Sequence, residues 1–426
     1  MQAHRIEGSE RAKQLAHVAR LFYVDQNSQT EIARIIKKHP SIVARLLKEA
    51  REQGVVAFDV DPAFGLTGRH DMTLSRRLRD SFALEEAIVV RVNIDGANVE
   101  NAREIDDDLH LALANQTGQK MTDRITHADH VAVGSGRAVC QTVRVIRRRP
   151  PLRKDVLITP LCGRIWSHFW QAHGPTITRP LDADDAAFLL ALAFENEPGT
   201  RFSQVAYPLF AANAEEATTI MKDHCPFLPN GSWRLEKPPR LALVGVGVIN
   251  PKSGHRISDV YREDSQAVEI AAYLNKAAGD LKEVIKYVED NEIPYFGDVT
   301  NRFFPSLHLP EGPHVETLDN HTKHYKKLIK KLECLNDRMV VVNWDQLREI
   351  SSVIVIGGGS FKLNALWTLL ITKFLNASKG FITGISTDSE TARKLLDALE
   401  AYNKAGTSVQ QWYKTMAKML FPENVR

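Results

Sequence analysis

Three glycine-rich turns each follow a short apolar run that is typical of a β-strand. Small residues in such turns let a ligand approach backbone N–H groups at the start of the next helix, where hydrogen bonding and the helix dipole both favour phosphate. None of the three completes a GxGxxG pattern or a P-loop, so each one alone indicates an ordinary tight turn. Together they predict a shared pocket for an anionic or polyol ligand. The glycines are Gly134 and Gly136, Gly245 and Gly247, and Gly357, Gly358 and Gly359.

Polar residues near these turns add to the predicted pocket. Lys362 lies three residues after Gly359, near the start of the next helix, where it supplies a positive charge or simply extends into solvent. The segment FGDVTNRFF places Asp298, Asn301 and Arg302 in a turn. Aspartate and asparagine can hydrogen-bond sugar hydroxyls, and arginine can bind a phosphate with two parallel bonds. A Gly-Asp pair is also ordinary turn chemistry.

No pattern in the chain predicts catalytic residues, a metal site or a bound cofactor. GxSxG and HExxH do not occur, and the sequence identifies no catalytic pair of a nucleophile and a base. The four cysteines are far apart and form no CxxC spacing, which fits a reducing compartment. No apolar run reaches the length that a membrane span needs. These features predict a cytoplasmic protein.

The start of the chain predicts two short helices. From Arg11 to about Asp25, apolar residues recur at helical spacing. Asn27 or Ser28 can cap a second helix, and Glu31 stands at the capping-box spacing from Ser28. The residues predicted to face inward are Leu15, Val18, Ala19 and Phe22 in the first helix and Ile32, Ile35 and Ile36 in the second.

A third helix is predicted from Pro40 to about Gly54, because proline favours the first helical position and glycine a helix end. The first sixty residues hold ten basic and seven acidic side chains, and this surplus equals the +3 of the whole chain. The exposed face can therefore contact a DNA major groove, or it is the solvated side of a plain helical hairpin. The predicted inward residues are Val43, Leu46, Leu47 and Ala50, and the outward ones are Ser41, Ala44, Arg45 and Lys48.

The rest of the chain predicts an α/β fold. With 426 residues, 43% hydrophobic and 25% charged, the chain is an ordinary globular protein of two or three domains. Apolar runs alternate with helical patterns, which predicts a mostly parallel sheet covered by helices. VVAFDVDP also reads as a strand, and HTKHYKKLIKKLE as an exposed amphipathic helix in a polar insertion. The strand runs are EAIVVRV, HVAVGSG, DVLITPL, RLALVGVG, SVIVIGGG and GFITGIS.

Seven blocks along the chain form one pattern: ARLFYVDQNSQTEIARIIKKHPSIVARLLKEAREQGVV, VAVGSGRAVCQTV, ITPLCGR, LALVGVG, FGDVTNRFF, VIVIGGGSFKLNALWTLL and FITGISTDSETARKLL. Taken together, they resemble the SorC family of sugar-binding bacterial transcriptional regulators. The blocks occur in the family's order and cover nearly the whole chain. The turn before the third helix has Lys37 where the family usually has glycine, so Lys37 must take a left-handed conformation or form a different turn. Ser135 and Ala138 also depart from the family's first glycine turn.

The resemblance implies an N-terminal helix-turn-helix joined to a Rossmann-like α/β effector domain similar to glucosamine-phosphate deaminases and ribose-phosphate isomerases. It also implies operator DNA and a carbohydrate or phosphosugar as partners, and assembly into dimers or tetramers. The implied DNA-binding residues are Ser28, Gln29, His39, Ser41, Ala44, Arg45 and Lys48. The implied effector-binding residues are Gly134, Ser135, Gly136, Arg137, Gly163, Gly245, Gly247, Asp298, Gly358, Gly359 and Lys362.

Two functions follow as hypotheses. The first is a transcriptional regulator whose operator binding is controlled by a carbohydrate or phosphosugar. It has a DNA-binding domain at 1–60, a linker at 61–85 and an effector and oligomerisation domain at 86–426. The second is a phosphosugar isomerase or deaminase with an accessory helical domain, because the implied fold also hosts such enzymes. The lack of a recognisable acid/base pair favours the regulator. The polar region 253–335 and the C-terminal QQWYKTMAKMLFPENVR have no assigned role.

Overall fold

The computed structural model of the chain describes most of its residues, and these form two compact units, one within 10–55 and one within 68–421. Gly54, most of VVAFDVDP, Asn301 and residues 253–282 lie outside the described residues. The described residues are 10–23, 25, 27–52, 55, 68–92, 102–125, 128, 130–148, 155–164, 182–194, 201–205, 207, 209–234, 237–249, 283–288, 290–291, 293, 296–300, 302–310, 318–376 and 380–421.

The smaller unit consists of three helices, α1 (Glu10–Tyr23), α2 (Gln29–Ile35) and α3 (Pro40–Glu52). Its core contains the buried apolar faces that the sequence predicts for α1 and α3, with Leu15 and Val43 fully buried. The expectation for Ile35 is wrong, because this side chain is 52% exposed. Ile32 and Ala33 form the buried face of the short helix α2, and Ile35 lies outside that face.

Local contacts explain where these helices begin. Ser28 caps α2 as predicted: its hydroxyl accepts the Glu31 N–H, and the Glu31 carboxylate accepts the Ser28 N–H at 2.7 Å. Lys37 takes the left-handed conformation, with φ of 54°, and so makes the sharp turn that leads to Pro40. Arg11 of α1 forms an ion pair with Glu49 of α3. The unit thus has a defined turn between two of its helices.

The larger unit is an α/β structure with a ten-stranded, mostly parallel sheet. The strand order is β1-β2-β10-β9-β6-β3-β4-β5; β7 pairs antiparallel with β6, and β8 with β7. The strands are β1 (Arg69–His70), β2 (Glu86–Arg91), β3 (His130–Val133), β4 (Leu157–Pro160), β5 (Arg201–Phe202), β6 (Leu241–Ile249), β7 (Phe296–Val299), β8 (Arg302–Pro305), β9 (Ser352–Ile356) and β10 (Gly384–Asp388). The helices are α4 (Met72–Ser81), α5 (Ala102–Ile125), α6 (Arg137–Arg148), α7 (Ala183–Ala191), α8 (Ala214–His224), α9 (Leu318–Asn336), α10 (Trp344–Glu349), α11 (Leu363–Leu375), α12 (Ser389–Lys404) and α13 (Thr407–Met419).

The core of this unit lies on both faces of the sheet. Successive strand residues point to opposite faces, so Val355 packs in one apolar cluster and Ile356 in the other. Helices α5, α6 and α7 cover the second cluster, and α4, α9, α11, α12 and α13 cover the first. The six strand runs named from the sequence all form strands of this sheet, and the prediction of a mostly parallel sheet covered by helices is confirmed.

Two C-terminal segments differ from the sequence expectation. Helix α9, which contains HTKHYKKLIKKLE, is not simply exposed: Tyr325, Leu328 and Leu332 are buried in the core. Its apolar stripe faces the sheet side, while its lysines stay outside. The C-terminal QQWYKTMAKMLF forms most of α13, and Trp412 and Tyr413 are buried in the same cluster. Both segments are therefore part of the folded unit.

Candidate functional sites

The three glycine-rich turns lie side by side at one edge of the sheet. Strands β3, β6 and β9 are parallel neighbours, so their carboxyl ends meet at the same edge. The chain extends the sheet in one direction from β3 through β4 to β5, and in the other direction from β6 through β9 to β10. The switch between the two directions falls between β3 and β6. In open α/β sheets, ligands bind outside the carboxyl ends of the strands at such a switch point.

Close backbone approach joins the first two turns. A Cβ atom added to Gly245 would lie 2.7 Å from the carbonyl oxygen of Ser135, so only glycine fits there without displacement. The Gly134 N–H donates to the Leu243 carbonyl at 2.8 Å. Gly136 has a φ of 120°, a conformation that favours glycine, and it directly precedes α6. The turn from Gly134 to Arg137 is therefore held against the end of β6.

An aspartate orders the third turn. The Gly359 N–H donates to Asp388 Oδ2 at 2.8 Å and lies 3.1 Å from Thr391 Oγ1. Asp388 is 8% exposed and also caps the start of α12. The N–H groups of Gly134 and Gly359 are thus used within the protein. The sequence-based idea that these turns offer backbone N–H groups to a ligand does not hold for these two glycines in this conformation.

Lys362 is buried at this edge, with 8% of its surface exposed, so the alternative of a solvated helix residue is wrong. It ends a 3-10 turn, Ser360–Lys362, that leads directly into α11. Its Nζ atom lies 3.2 Å from Nε2 of His110 and 5.2 Å from the centre of the Phe361 ring. A buried ammonium group is therefore present beside the glycine-rich turns.

The His110 side chain lies in a positively charged environment. Burial and the charges of Lys362 and Arg137 together lower the pKa of His110 to about 2. The imidazole is therefore neutral at physiological pH. Arg137 is exposed at the first residue of α6. The carboxyl edge of the sheet thus gathers two cationic side chains, one buried and one exposed, around a neutral histidine.

Asp298 also lies at this edge. It is opposite Gly247 in the β6–β7 pair, and a Cβ atom on Gly247 would collide with its carboxylate. Gly163 lies three residues after the end of β4, and its N–H donates to the Val340 carbonyl at 2.7 Å. The structure therefore brings Asp298 next to the glycine-rich turns, while Gly163 contacts the segment before α10.

The expectation that Asp298 and Arg302 lie in a turn is wrong, because Asp298 is in β7 and Arg302 begins β8. Arg302 also has a different role from the phosphate contact that the sequence suggested. It is 5% exposed, its Nη2 lies 3.2 Å from a carboxylate oxygen of Glu333, and its guanidinium stacks 5.2 Å from the Trp344 ring centre. Binding a phosphate would require these contacts to break. Thr300, two residues before Arg302, is buried and has a positive φ of 52°, which is unusual for a β-branched residue.

The candidate DNA-binding residues all lie on the surface of the smaller unit. His39 and Ser41 contact each other at the start of α3, where His39 Nδ1 lies 2.8 Å from Ser41 Oγ. Ser28 forms the cap of α2. On α3, Arg45 lies opposite the buried face that includes Leu46. The exposed residues are Ser28, Gln29, His39, Ser41, Ala44, Arg45 and Lys48.

Within the described residues, no group of three or more histidine, cysteine, aspartate or glutamate side chains could hold a metal ion. In the same part of the chain, no helix combines the length and apolar character that a membrane crossing requires.

Sequence reasoning missed His110 and Asp388. His110 lies 252 residues before Lys362, so no spacing rule connects them. Its signal was weak: a single imidazole in the apolar stretch LHLALA. Asp388 had a clearer signal, because an aspartate between an apolar run and a helical pattern is typical of a helix cap.

Comparison with known proteins places this chain beside transcriptional regulators. No family model matches it. One curated relative is the sorbitol operon regulator of Klebsiella pneumoniae, 28% identical over 159 residues, which are 37% of this chain and 46% of that protein. The chain thus matches less than half the length of that regulator. Another is the uncharacterized transcriptional regulator YjhU of Escherichia coli K12, 27% identical over 254 residues, 57% of this chain and 70% of that protein.

Solved structures of regulators also align with the chain. The full-length sorbitol operon regulator SorC from Klebsiella pneumoniae aligns over 91% of this chain and all of its own, with 19% identity and a TM-score of 0.46. A DeoR family transcriptional regulator from Listeria monocytogenes aligns over 76% of this chain and 98% of its own, with 17% identity and a TM-score of 0.47. The resemblance to SorC-type regulators is confirmed by the curated relatives.

Proposed function

We propose that this chain is a DNA-binding transcriptional regulator whose operator binding is controlled by a carbohydrate or phosphosugar effector. The observation that carries the proposal is the row of exposed side chains on α3, which lies opposite the buried face of that helix. The helix belongs to a three-helix unit with a sharp turn at Lys37. The curated relatives, both transcriptional regulators, support the same reading.

The smaller unit would act as a helix-turn-helix, with α3 in the major groove. Ser41, Arg45 and Lys48 would contact base edges and phosphates, and Ala44 would contact a thymine methyl group. Three further candidates lie near helix starts: Ser28 and Gln29 at the start of α2, and His39 just before α3. In protein–DNA complexes, side chains and helix N-termini contact the phosphate backbone. The formal surplus of positive charge in the first sixty residues favours an anionic partner.

The effector would bind at the carboxyl edge of the sheet. Its support is the juxtaposition of the turns after β3, β6 and β9 with Lys362, Arg137 and Asp298. Cationic side chains can bind a phosphate or another acidic group, and a carboxylate can accept hydrogen bonds from sugar hydroxyls. Ser135 and the glycines of these turns would line the pocket. Gly163, three residues after the end of β4, is also a member of the proposed set.

The finer organisation is part of the proposal. Residues 1–60 would bind DNA, and 86–426 would bind the effector and form dimers or tetramers, with 61–85 joining them. Helix α4 in the joining segment packs its Leu74 and Leu78 into the larger core. The effector domain would have a fold similar to glucosamine-phosphate deaminases and ribose-phosphate isomerases. A protein that binds operator DNA without catalysis would work in the bacterial cytoplasm and need no cofactor.

One experiment tests both halves of this proposal. Sequences bound by the full chain are selected from random DNA, and binding to the selected sequence and to random DNA is then measured by fluorescence anisotropy. A thermal-shift screen of free sugars, polyols and sugar phosphates identifies ligands that stabilise the protein. We expect a selected sequence with half-sites spaced by about 10 bp or a multiple, and a stabilising ligand that alters DNA affinity and is recovered unchanged.

The same experiment has outcomes that contradict the proposal. Equal affinity for selected and random DNA would show that the smaller unit does not read sequence. Turnover of a sugar phosphate, followed by chromatography of the recovered ligand, would favour an isomerase or deaminase instead. A ligand that stabilises the chain without changing its DNA affinity would show that binding of this ligand does not control DNA binding.

A further inference from the structure

One face of helix α9 carries a dense positive charge. Residues 321–332, HTKHYKKLIKKL, contain five lysines and no aspartate or glutamate. The lysines recur at spacings of three and four residues, so they lie on one side of the helix. Four of them are exposed, and Lys331 is half-buried. We call this surface the α9 lysine face, and its members are Lys323, Lys326, Lys327, Lys330 and Lys331.

This concentration of charge stands out in the unit that carries it. The first sixty residues hold the whole formal surplus of the chain, so the rest of the chain is formally neutral. Without the five lysines, that rest would hold 40 basic and 45 acidic side chains. Solubility alone is best served by charges of both signs interspersed over a surface. A gathered set of one sign is instead typical of a surface that attracts an oppositely charged partner.

Contacts below and beside the α9 lysine face hold it in place. Leu328, on the opposite side of α9, is fully buried in the core. Beside α9, in the helical segment 283–288, the Tyr287 hydroxyl lies 3.1 Å from His324 Nδ1. The ammonium groups of Lys327 and Lys331 lie 5.0 Å and 5.9 Å from the centre of the Tyr287 ring. Side chains that are ordered before binding lose less conformational entropy when a partner binds.

Acidic side chains meet α9 only at the margin of this face, within the part of the chain that the structure describes. There, the ion pairs of α9 are those of Lys331 with Glu283, at 3.4 Å, and of Glu333 with Arg302, at 3.2 Å. Glu283 is exposed, so its pair with Lys331 is easily exchanged for another anion. The charge in the middle of the face is therefore available to a partner.

The dimensions and chemistry of the face fit the backbone of duplex DNA. An α-helix rises 1.5 Å per residue, so the face is about 12 Å long from Lys323 to Lys331. Over that length a duplex presents about seven phosphates. Lysine binds phosphate as a point charge and does not require one fixed geometry. A helix that binds a membrane needs a free apolar face, whereas Leu328 and Leu332 of α9 are buried in the core.

We propose that the α9 lysine face is a second DNA-binding surface, which contacts the phosphate backbone of duplex DNA without reading its sequence. The choice of DNA among polyanions rests on the proposed function. Phosphate contacts add affinity and salt dependence but carry no sequence information. The face therefore strengthens binding to selected and random DNA alike.

Binding of the full chain to a random-sequence duplex of about 40 bp, four helical turns, tests the proposal. Fluorescence anisotropy over a salt series gives the affinity and its salt slope. The variant combines Lys326→Gln with Lys330→Gln, which removes two exposed charges from the face. Each lost phosphate contact lowers the salt slope by about 0.9. We expect a slope lower by about 1.8 and an affinity at 0.1 M salt that falls by about tenfold or more.

Two further variants separate the position of the charges from their number. Lys222→Gln combined with Lys404→Gln removes two exposed charges from α8 and α12, and the salt slope should stay that of wild type. Lys326→Arg combined with Lys330→Arg keeps the charge of the face and should also retain the wild-type slope. Thermal unfolding of each variant checks that it folds.

The same proteins give results that would overturn the proposal. An unchanged salt slope in the glutamine variant of the face, or an equal fall in the variant of α8 and α12, would show a solvated surface. Binding of wild type to phosphatidylserine vesicles that the glutamine variant loses, with its DNA binding intact, would assign the face to lipid. A change of sedimentation coefficient without DNA, together with an unchanged salt slope, would assign it to contact between copies of the chain.

The proposed regulatory function is judged by a different measurement, the preference for selected over random DNA. If that preference is absent while the glutamine variant loses salt slope, the regulator proposal is wrong and the α9 lysine face stands. If the preference is present while the slope on random DNA is unchanged, only the inference about the face is wrong.

Discussion

Replacing Gly245 with alanine tests the closeness of the first two glycine-rich turns. The new Cβ atom would lie 2.7 Å from the Ser135 carbonyl oxygen, whereas ordinary contact starts at 3.4 Å, so the two backbones must separate by about 0.7 Å. Neither can yield easily. β6 pairs with β9 at Gly245 itself, and the opposing turn is tied to the same strand through the Gly134 N–H.

The expected loss of stability is that of an overpacked site, about 1–3 kcal/mol. For a unit of this size, that corresponds to a fall in Tm of roughly 2–6 °C in a calorimetric scan. Because Arg137 follows the displaced turn, we also expect phosphate affinity to fall by about tenfold. Gly406→Ala is the control, because φ there is −62° and a Cβ atom would meet nothing within 4 Å. A Gly245→Ala protein with the Tm and phosphate affinity of the control would refute the close approach of the two turns.

Three further predictions address charge. Lys362→Met should weaken binding of a phosphorylated effector by about ten- to a hundredfold, which is the range of a lost charge-assisted hydrogen bond. The affinity for operator DNA in the absence of effector should be unchanged. Unaltered effector affinity in calorimetry would show that Lys362 is not part of the pocket. Arg45→Ala should lower operator affinity by about 1–3 kcal/mol and relax the preference for one base, whereas Lys48→Ala should weaken all sequences alike and reduce the salt slope by about one, as measured by anisotropy over a salt series; identical behaviour of the two variants would contradict the distinction. Burial, and then the charge of Asp185, raise the pKa of Asp182 from 3.8 to about 7, so the folded state binds the extra proton and wild type should lose stability as pH rises from about 4 to 7. Asp182 caps the start of α7 with its side chain, and Asp182→Asn keeps that cap. The variant should have the stability of wild type near pH 4 but exceed it above pH 7 by at most about 4 kcal/mol, reduced by the partial exposure of the side chain. Parallel urea-unfolding profiles of the two proteins across pH would contradict the assignment.

Six of the ten strands and the three N-terminal helices were predictable because each has a local signal. A buried parallel strand reads as a short apolar run, and such runs mark β3, β6 and β9 directly. The cap at Ser28 and the helix start at Pro40 are likewise written in adjacent residues. Local patterns also located the glycine-rich turns, because strand ends and turn residues are neighbours in the chain.

Burial and long-range contacts were harder to predict. Ile35 fits a helical apolar pattern, but the helix is short and its neighbours already cover the core, so the side chain remains exposed. The sequence suggests that Arg302 lies in an open turn, but it begins β8 and is enclosed by Glu333 of α9 and by Trp344 at the start of α10. Such outcomes depend on which element packs above a residue. No spacing within a single segment carries that information.

The arrangement of the proposed effector pocket has a consequence for how its specificity can evolve. Its walls would come from different stretches of chain: the turn after β3, the turn after β9, and His110 on α5. The strands that carry the two turns are held by backbone pairing, which does not depend on side-chain identity. A substitution in one turn can therefore change ligand preference without altering the sheet or the other walls. Related proteins can diversify in what they recognise while keeping one scaffold.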